Sequence, residues 1–201
     1  MQKEHYMIEG KIFAETERLI LREILPTDTT GMFELDSDPE VHKYLGNKPL
    51  KDLNQIINVI NSVRLQYKDH GIGRWAIIDR KTNEFIGWTG LKFVTQPTNN
   101  HKNYYDLGYR IKRKFWHKGI ATETAIICLE YAFTKLNLNE IYAAASIENL
   151  ASNKILQKIG MNFIETFKYE EIECNWYKID NEDYHKSRTA NSGLAQAGLR
   201  E

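Results

Sequence analysis

The chain has 201 residues, enough for one domain with a proper hydrophobic core. Its 27 Lys plus Arg balance 27 Asp plus Glu, which excludes a protein that coats nucleic acid or an anionic membrane with one strong field. With 42% hydrophobic and 11% aromatic residues it is too apolar for a disordered chain, yet runs such as 125–129 and 141–145 fall far short of the ~20 residues that span a bilayer.

In chain order, residues 18–24 read as a first strand, rich in leucine and isoleucine. Pro26-Thr27-Asp28 is a helix-start signal, and a short helix runs from there to Leu35. Residues 37–49 hold Pro39, Gly46 and Pro49 and read as a loop with a helical turn. Asp52 opens a long helix, with Gln55 three residues on as a capping box. Leu53, Ile56, Ile57, Ile60 and Val63 follow at helical spacing, and the helix ends before Gly71 and Gly73. Residues 75–79 and 84–93 form an antiparallel hairpin. Residues 96–103 are a polar loop containing Pro97.

Tyr104–Ile111 is the next strand. It runs through a basic loop, 112–118, and Gly119 into a helix over 121–136. That helix buries Ala121, Ala125, Cys128, Leu129, Ala132, Phe133 and Leu136. Residues 141–146 form a buried strand. Residues 150–159 form a short helix with Asn149 as N-cap and Gly160 just past its end. Residues 161–168 and 174–179 close the chain as a second hairpin. The expected fold is α+β: a mostly antiparallel central sheet of six or seven strands flanked by helices. Residues 1–14 read as an amino-terminal arm, 15–186 as one domain, and 187–201 as a small, polar, aperiodic tail.

The two cysteines, Cys128 and Cys174, lie far apart and have no Cys/His spacing. They make neither a disulfide framework nor a zinc site, and they fit a reducing compartment. Residues 1–10 lack an apolar signal-peptide core, so the expected location is cytoplasmic.

The chemically informative segment is 109–123. A strand delivers the chain to Lys112, Arg113, Lys114, His117 and Lys118, and Gly119 then opens a helix. Unpaired N–H groups, the helix dipole and a glycine together make a phosphate cradle. Neither the Gly-Lys-Ser/Thr order nor Gly-x-Gly-x-x-Gly is present. A solvated basic turn explains the same residues about as well. A second segment, Asn149-Leu150-Ala151-Ser152, also joins a strand to a helix. Both polar residues there could be plain caps or could face a ligand at the sheet's end.

Together the order Trp116-His117-Lys118-Gly119-Ile120-Ala121, helix, strand, Asn149-x-x-Ser152, helix, Lys158-Ile159-Gly160-Met161 resembles the GCN5-related N-acetyltransferase (GNAT) superfamily. Thr16-Glu17-Arg18-Leu19-Ile20-Leu21-Arg22, Asp106-Leu107-Gly108-Tyr109, Phe115-Trp116 and Ala121-Thr122-Glu123 resemble its ribosomal-protein branch (RimJ/RimL-like). Trp116 stands where the superfamily usually has Arg or Gln, and Met161 where Phe is commoner.

The resemblance implies a direct N-acetyltransferase, with acetyl-CoA as donor and no metal. Backbone N–H groups of His117, Lys118, Gly119, Ile120, Ala121 and Thr122, within the Trp116 loop, would hold the pyrophosphate. Ile111 would bond the pantetheine arm by its backbone. Arg113, Lys118, Lys154 or Lys158 would meet phosphates or stay solvated. Asn149 would contact pantetheine. Ser152 would protonate the departing thiolate, or else only cap its helix. Asp106 is the first candidate for the base and Glu148 the second; a structural role for Asp106 is about as well supported. The acceptor would be a protein amino terminus or a small amine such as a polyamine, an amino acid or an aminoglycoside. Trp75, Trp88, Tyr105, Tyr142 and Trp176 are candidate cleft walls or core. A non-catalytic acyl-CoA-binding module is the alternative reading. Neither nucleic acid nor membrane is an expected partner, and a monomer or a homodimer is expected.

Overall fold

The computed structural model describes residues 10–186. The expectations for a tail over 187–201 and for the first nine residues of the arm lie outside the described residues.

The strands are β1 (Ile12–Glu15), β2 (Leu19–Glu23), β3 (Arg74–Asp79), β4 (Phe85–Val94), β5 (Tyr104–Ile111), β6 (Glu140–Ser146), β7 (Asn162–Tyr169) and β8 (Ile172–Asp180). The helices are α1 (Thr29–Asp36), α2 (Pro39–His42), α3 (Leu53–His70), α4 (Ile120–Thr134) and α5 (Leu150–Lys158), with short 3-10 turns at Pro26–Asp28 and Arg113–Phe115. The strands make one sheet in the order β1-β2-β3-β4-β5-β6-β8-β7. Every neighbouring pair is antiparallel except β5 and β6.

The sheet has eight strands where sequence patterning predicts six or seven. The extra one is β1, which lies partly inside the segment read as an arm. Its two end residues are exposed, its two middle residues are half-buried, and the register shifts between Ile12 and Ala14, so it shows no usable alternation.

Helix signals read from sequence hold in detail. Asp52 and Gln55 form a reciprocal capping box at α3, and Gly71 ends that helix at φ 69°. Residue alternation divides the buried groups between two faces. On one, Leu107 and Ile111 of β5 join Ala125, Cys128 and Leu129 of α4 and Leu156 of α5. On the other, Ile20, Ala76 and Ile78 meet Met32 and Leu35 of α1 and Ile56 and Ile60 of α3. Trp75 is core, stacked on Phe13 with ring centroids 4.6 Å apart. No helix among the described residues is long and apolar enough to cross a membrane.

Candidate active site

The parallel pair is the exception that makes a site. β5 and β6 have eight and seven residues but share a single register pair, Asp106 opposite Tyr142. Past that point the strands part. Lys112 donates its N–H to Ile86 of β4 at 2.9 Å, so alternation turns the backbones of Tyr109 and Ile111 away from β4 and into the opening. Parallel strands end at the same side. Both therefore hand the chain there to a helix, β5 to α4 and β6 to α5, and two helix amino termini converge on the mouth.

The start of α4 has the backbone geometry that an anion site needs. Its N-cap, Gly119, sits at φ 73° and supplies no side-chain cap. His117 is also left-handed, at φ 60°, whereas Lys118 between them is not. This alternation curls successive N–H groups toward one point. A methyl group on Gly119 would meet nothing closer than the Arg18 guanidinium at 3.8 Å, so the glycine faces open space. Ile120 is buried and pins the helix start to the core, with Ala121 and Thr122 half-buried behind it. Trp116 donates its indole N–H to the Ile111 carbonyl at 2.7 Å. That carbonyl, part of the backbone expected to bond the pantetheine arm, already has a partner. The loop needs it to fold back over the strand end, and the Ile111 N–H is the group left to the opening.

At the start of α5, Asn149 Oδ1 accepts the Ser152 N–H at 3.1 Å. The cap is thus Asn149, and the Ser152 hydroxyl is not consumed by it. The hydroxyl lies 3.0 Å from Tyr109 Oη, which reaches across from β5. Burial pushes the Tyr109 phenol up to about 12, with the Ser152 bond opposing the shift. A neutral hydroxyl pair is therefore held at the opening at ordinary pH.

The expected cations are less concentrated at the cradle than their sequence suggests. Arg113 bonds Asp38 at 3.2 Å. Lys118 lies over the Phe115 ring at 5.0 Å. Lys158 sits in the last turn of α5, about 13 Å along the axis from Asn149. The cation that does reach the cradle is Arg18, which precedes β2. It donates to Glu123 in the first turn of α4 at 2.8 Å and flanks Gly119. Sequence reasoning missed it, because only the fold brings residue 18 beside residue 119.

The opposite face of β5 holds Asp106 and Arg110. Asp106 is ion-paired with Arg74, which also donates to the Asp106 carbonyl at 2.7 Å. Arg110 is paired with Asp36 at the end of α1. The two guanidinium carbons stand 5.2 and 5.1 Å from the Trp88 ring. His42 is buried beside Asp36, its Nε2 at 3.7 Å from Oδ1. Burial, helped by Arg110 and opposed by Asp36, holds the His42 imidazole below its ordinary range. Tyr104, Tyr142 and Trp176 form a separate buried aromatic cluster next to Asp106. Tyr105, on the other face, packs against Phe93 at 5.0 Å. Glu148 is exposed in the turn before Asn149. Cys128 is fully buried, and burial pushes its thiol up to about 12, so it is no nucleophile.

Residues 18–162 match the acetyltransferase (GNAT) domain family. The chain belongs to the GNAT acetyltransferase family. A relative from Bacillus licheniformis, named uncharacterized N-acetyltransferase p20, is 37% identical over 148 residues, which cover 72% of this chain and 79% of that protein. Two solved structures share the fold at low identity. One is spermidine N-acetyltransferase from Vibrio cholerae in complex with CoA and spermine, with TM-score 0.67, 18% identity, and coverage of 84% of this chain and 99% of that one. The other is RimL, a ribosomal L7/L12 α-N-protein acetyltransferase, with TM-score 0.71, 14% identity, and coverage of 85% and 94%. This GNAT protein is an N-acetyltransferase, and GNAT acetyltransferases use acetyl-CoA. Its eight-stranded sheet is the family's mixed α/β fold.

Proposed function

We propose that the protein transfers the acetyl group of acetyl-CoA directly to a primary amine, with the α-amine of a peptide or protein amino terminus as acceptor. The observation that carries the donor assignment is the β5–β6 opening with two helix starts at its mouth. In this reading the pantetheine arm lies between the strands and bonds the exposed backbone of Tyr109 and Ile111. The nest over His117, Lys118, Gly119 and Ile120 holds the pyrophosphate, with Arg18 beside it. Ser152 gives the thiolate its proton, and Tyr109 orients that hydroxyl. Asp106 holds Arg74 in place on the acceptor face.

An α-amine fits this face for two reasons. Its carboxylates Asp106 and Asp36 are committed to arginines, so they offer little to a polycation. An α-amine, near pH 7.7–8.0 in its titration, is also partly neutral at physiological pH, which a lysine-type amine near 10.4 is not. A small apolar or aromatic amine is the second reading, favoured by the Tyr104, Tyr142 and Trp176 cluster. The RimJ/RimL-like assignment belongs with the first reading, and a cytoplasmic location fits both.

Release of the CoA thiol is measured on mixing acetyl-CoA with peptides, amino acids, polyamines and aminoglycosides. Turnover of peptides with free amino termini, abolished by blocking the α-amine, supports the proposal. Turnover confined to polyamines or aminoglycosides overturns the acceptor assignment. CoA binding without turnover of any amine overturns the reading as a whole.

A further inference from the structure

We propose that β7 is an interaction surface for a second copy of this chain, and that two copies join edge to edge about Phe167. The inference goes beyond the acetyl transfer proposed above and does not depend on it.

The two edges of the sheet differ. β1 is four residues long with a register shift, and a short, irregular strand is one way natural sheets blunt an edge. β7 ends the sheet on the other side with eight residues, and no described strand lies beyond it. It holds no proline, and none of its residues is buried. Phe163, Ile164 and Tyr169 are exposed on it. Lys168, the residue type that often guards an edge, is neutralised by Glu171 at 2.9 Å. The one irregularity of β7 lies between Phe163 and Glu165, so 165–169 is a regular run.

That run turns backbone groups outward. The Ile147 N–H donates to the Glu173 carbonyl at 3.0 Å, so Glu173 points its backbone toward β6. Lys168 stands opposite Glu173. Such a pair exchanges no hydrogen bonds, so Lys168 points its N–H and C=O away from β8, and by alternation so does Thr166. The side chains alternate as well. Phe167 packs on Trp176 at 5.2 Å and on Tyr169 at 6.4 Å, with Glu165 on the same face. Thr166 is on the other face, bonded to Asn175 at 3.2 Å.

A two-fold axis through an antiparallel pair sets one residue opposite itself. Centring on Glu165 or Lys168 brings like charges together, which is destabilising. Centring on Thr166 sets Glu165 against Phe167 and Lys168 against Ile164, each charge against an apolar side chain. Centring on Phe167 pairs the two Phe167 rings, Glu165 with Tyr169, and Thr166 with Lys168. Asn99 uses Oε1 of Glu165, which leaves Oε2 to accept the Tyr169 hydroxyl of the second copy. Aromatic and hydrogen-bonding cross-strand pairs of this kind stabilise antiparallel strands. β7 is therefore complementary to itself in one register, and that favours a second copy as its occupant. Five paired residues cover ~17 Å of edge, a small interface, so the dimer dissociates roughly in the micromolar range.

Sedimentation equilibrium of the full chain reads this association. Tyr169→Glu sets two carboxylates opposite each other and should raise the dimer Kd roughly tenfold or more. Adding Glu165→Lys to that variant makes the pair attractive and should bring the Kd back to within about threefold of wild type. Thr166→Pro removes an outward N–H without touching the β8 ladder and should leave a monomer. In the wild type, hydrogen exchange at the Thr166 and Lys168 N–H groups should slow as protein concentration rises. Wild-type chain that stays monomeric at about 1 mM overturns the proposal. So does a dimer that Tyr169→Glu and Thr166→Pro leave intact, because another face then holds it. Exchange at Thr166 and Lys168 that ignores concentration overturns it too, and this reading needs no variant to fold. A double variant no tighter than Tyr169→Glu overturns the register about Phe167. No arm measures turnover, so failure of the proposed function leaves this test unaffected.

Discussion

Two glycines give a controlled test of the cradle. Gly119 starts α4 at φ 73°, ψ 2°, and Gly71 ends α3 at φ 69°, ψ −1°. Their backbones are nearly superimposable, and a methyl group at either would be unobstructed: nothing stands within 4 Å at Gly71, and only Arg18 at 3.8 Å at Gly119. An L-residue in this left-handed region costs about 1–2 kcal/mol. Gly71→Ala and Gly119→Ala should therefore lose similar stability, a fall in Tm of roughly 2–8 °C for a domain of this size. In the proposed placement of acetyl-CoA, only Gly119 of the two lies where a phosphate approaches the backbone. Losing one charge-assisted hydrogen bond there costs about 1.5–3 kcal/mol, or roughly ten- to hundredfold in CoA affinity. Thermal melts and calorimetric titration with CoA separate the two effects. Equal CoA affinity in the two variants would refute the placement of the pyrophosphate, whatever the melts show.

Other variants probe the same opening. Arg18→Ala should raise the Kd for acetyl-CoA roughly three- to tenfold, less so at high salt because the group is half exposed. Adding Glu123→Gln should recover part of that loss; unchanged binding in Arg18→Ala would remove this residue from the site. Ser152→Ala keeps the Asn149 cap, so steady-state kinetics should show kcat falling at least tenfold with the CoA affinity unaltered. If kcat holds, water protonates the thiolate. Burial raises the Tyr109 phenol from its usual 10 to about 12. The neutral form is favoured by folding, so this contribution is complete below pH 10 and is lost as pH climbs through 10 to 12. Tyr109→Phe should then flatten the fall of denaturant midpoints over that window, and an unchanged slope would sink the argument.

How much of this was readable in advance depends on sequence distance. Elements carried by local signals came through: the capping box at Asp52, the hairpin of β3 and β4, Asn149 and Gly160 bracketing α5. The helix start at Gly119 was legible for the same reason. Gly119 and its loop lie on one continuous stretch, and a helix start advertises its own chemistry. What failed to show is whatever two distant segments make together. Arg18 bonded to Glu123, Asp106 held by Arg74, and Tyr109 reaching Ser152 each join residues 32 to 105 positions apart. β1 was hidden by shortness, since four residues give too few alternations to count.

The 98–101 turn is the sharper case, because its signal was local and still went unread. Thr98-Asn99-Asn100-His101 carries two asparagines in the middle of a tight turn, which is hairpin chemistry in plain view. Sequence cannot say where such a turn points. Its meaning comes from Asn99 reaching Glu165 on β7 and from the ring settling against Tyr142, and both contacts exist only because β6 lies between β5 and β8 in the sheet. The parallel β5–β6 pair, one register rung long, leaves the opening between these strands. By placing Tyr142 opposite Asp106, the same rung also sets the position of the histidine. One strand-pairing choice therefore fixes both the opening and the turn, and a change that lengthens the β5–β6 ladder should close the opening and displace the 98–101 turn together.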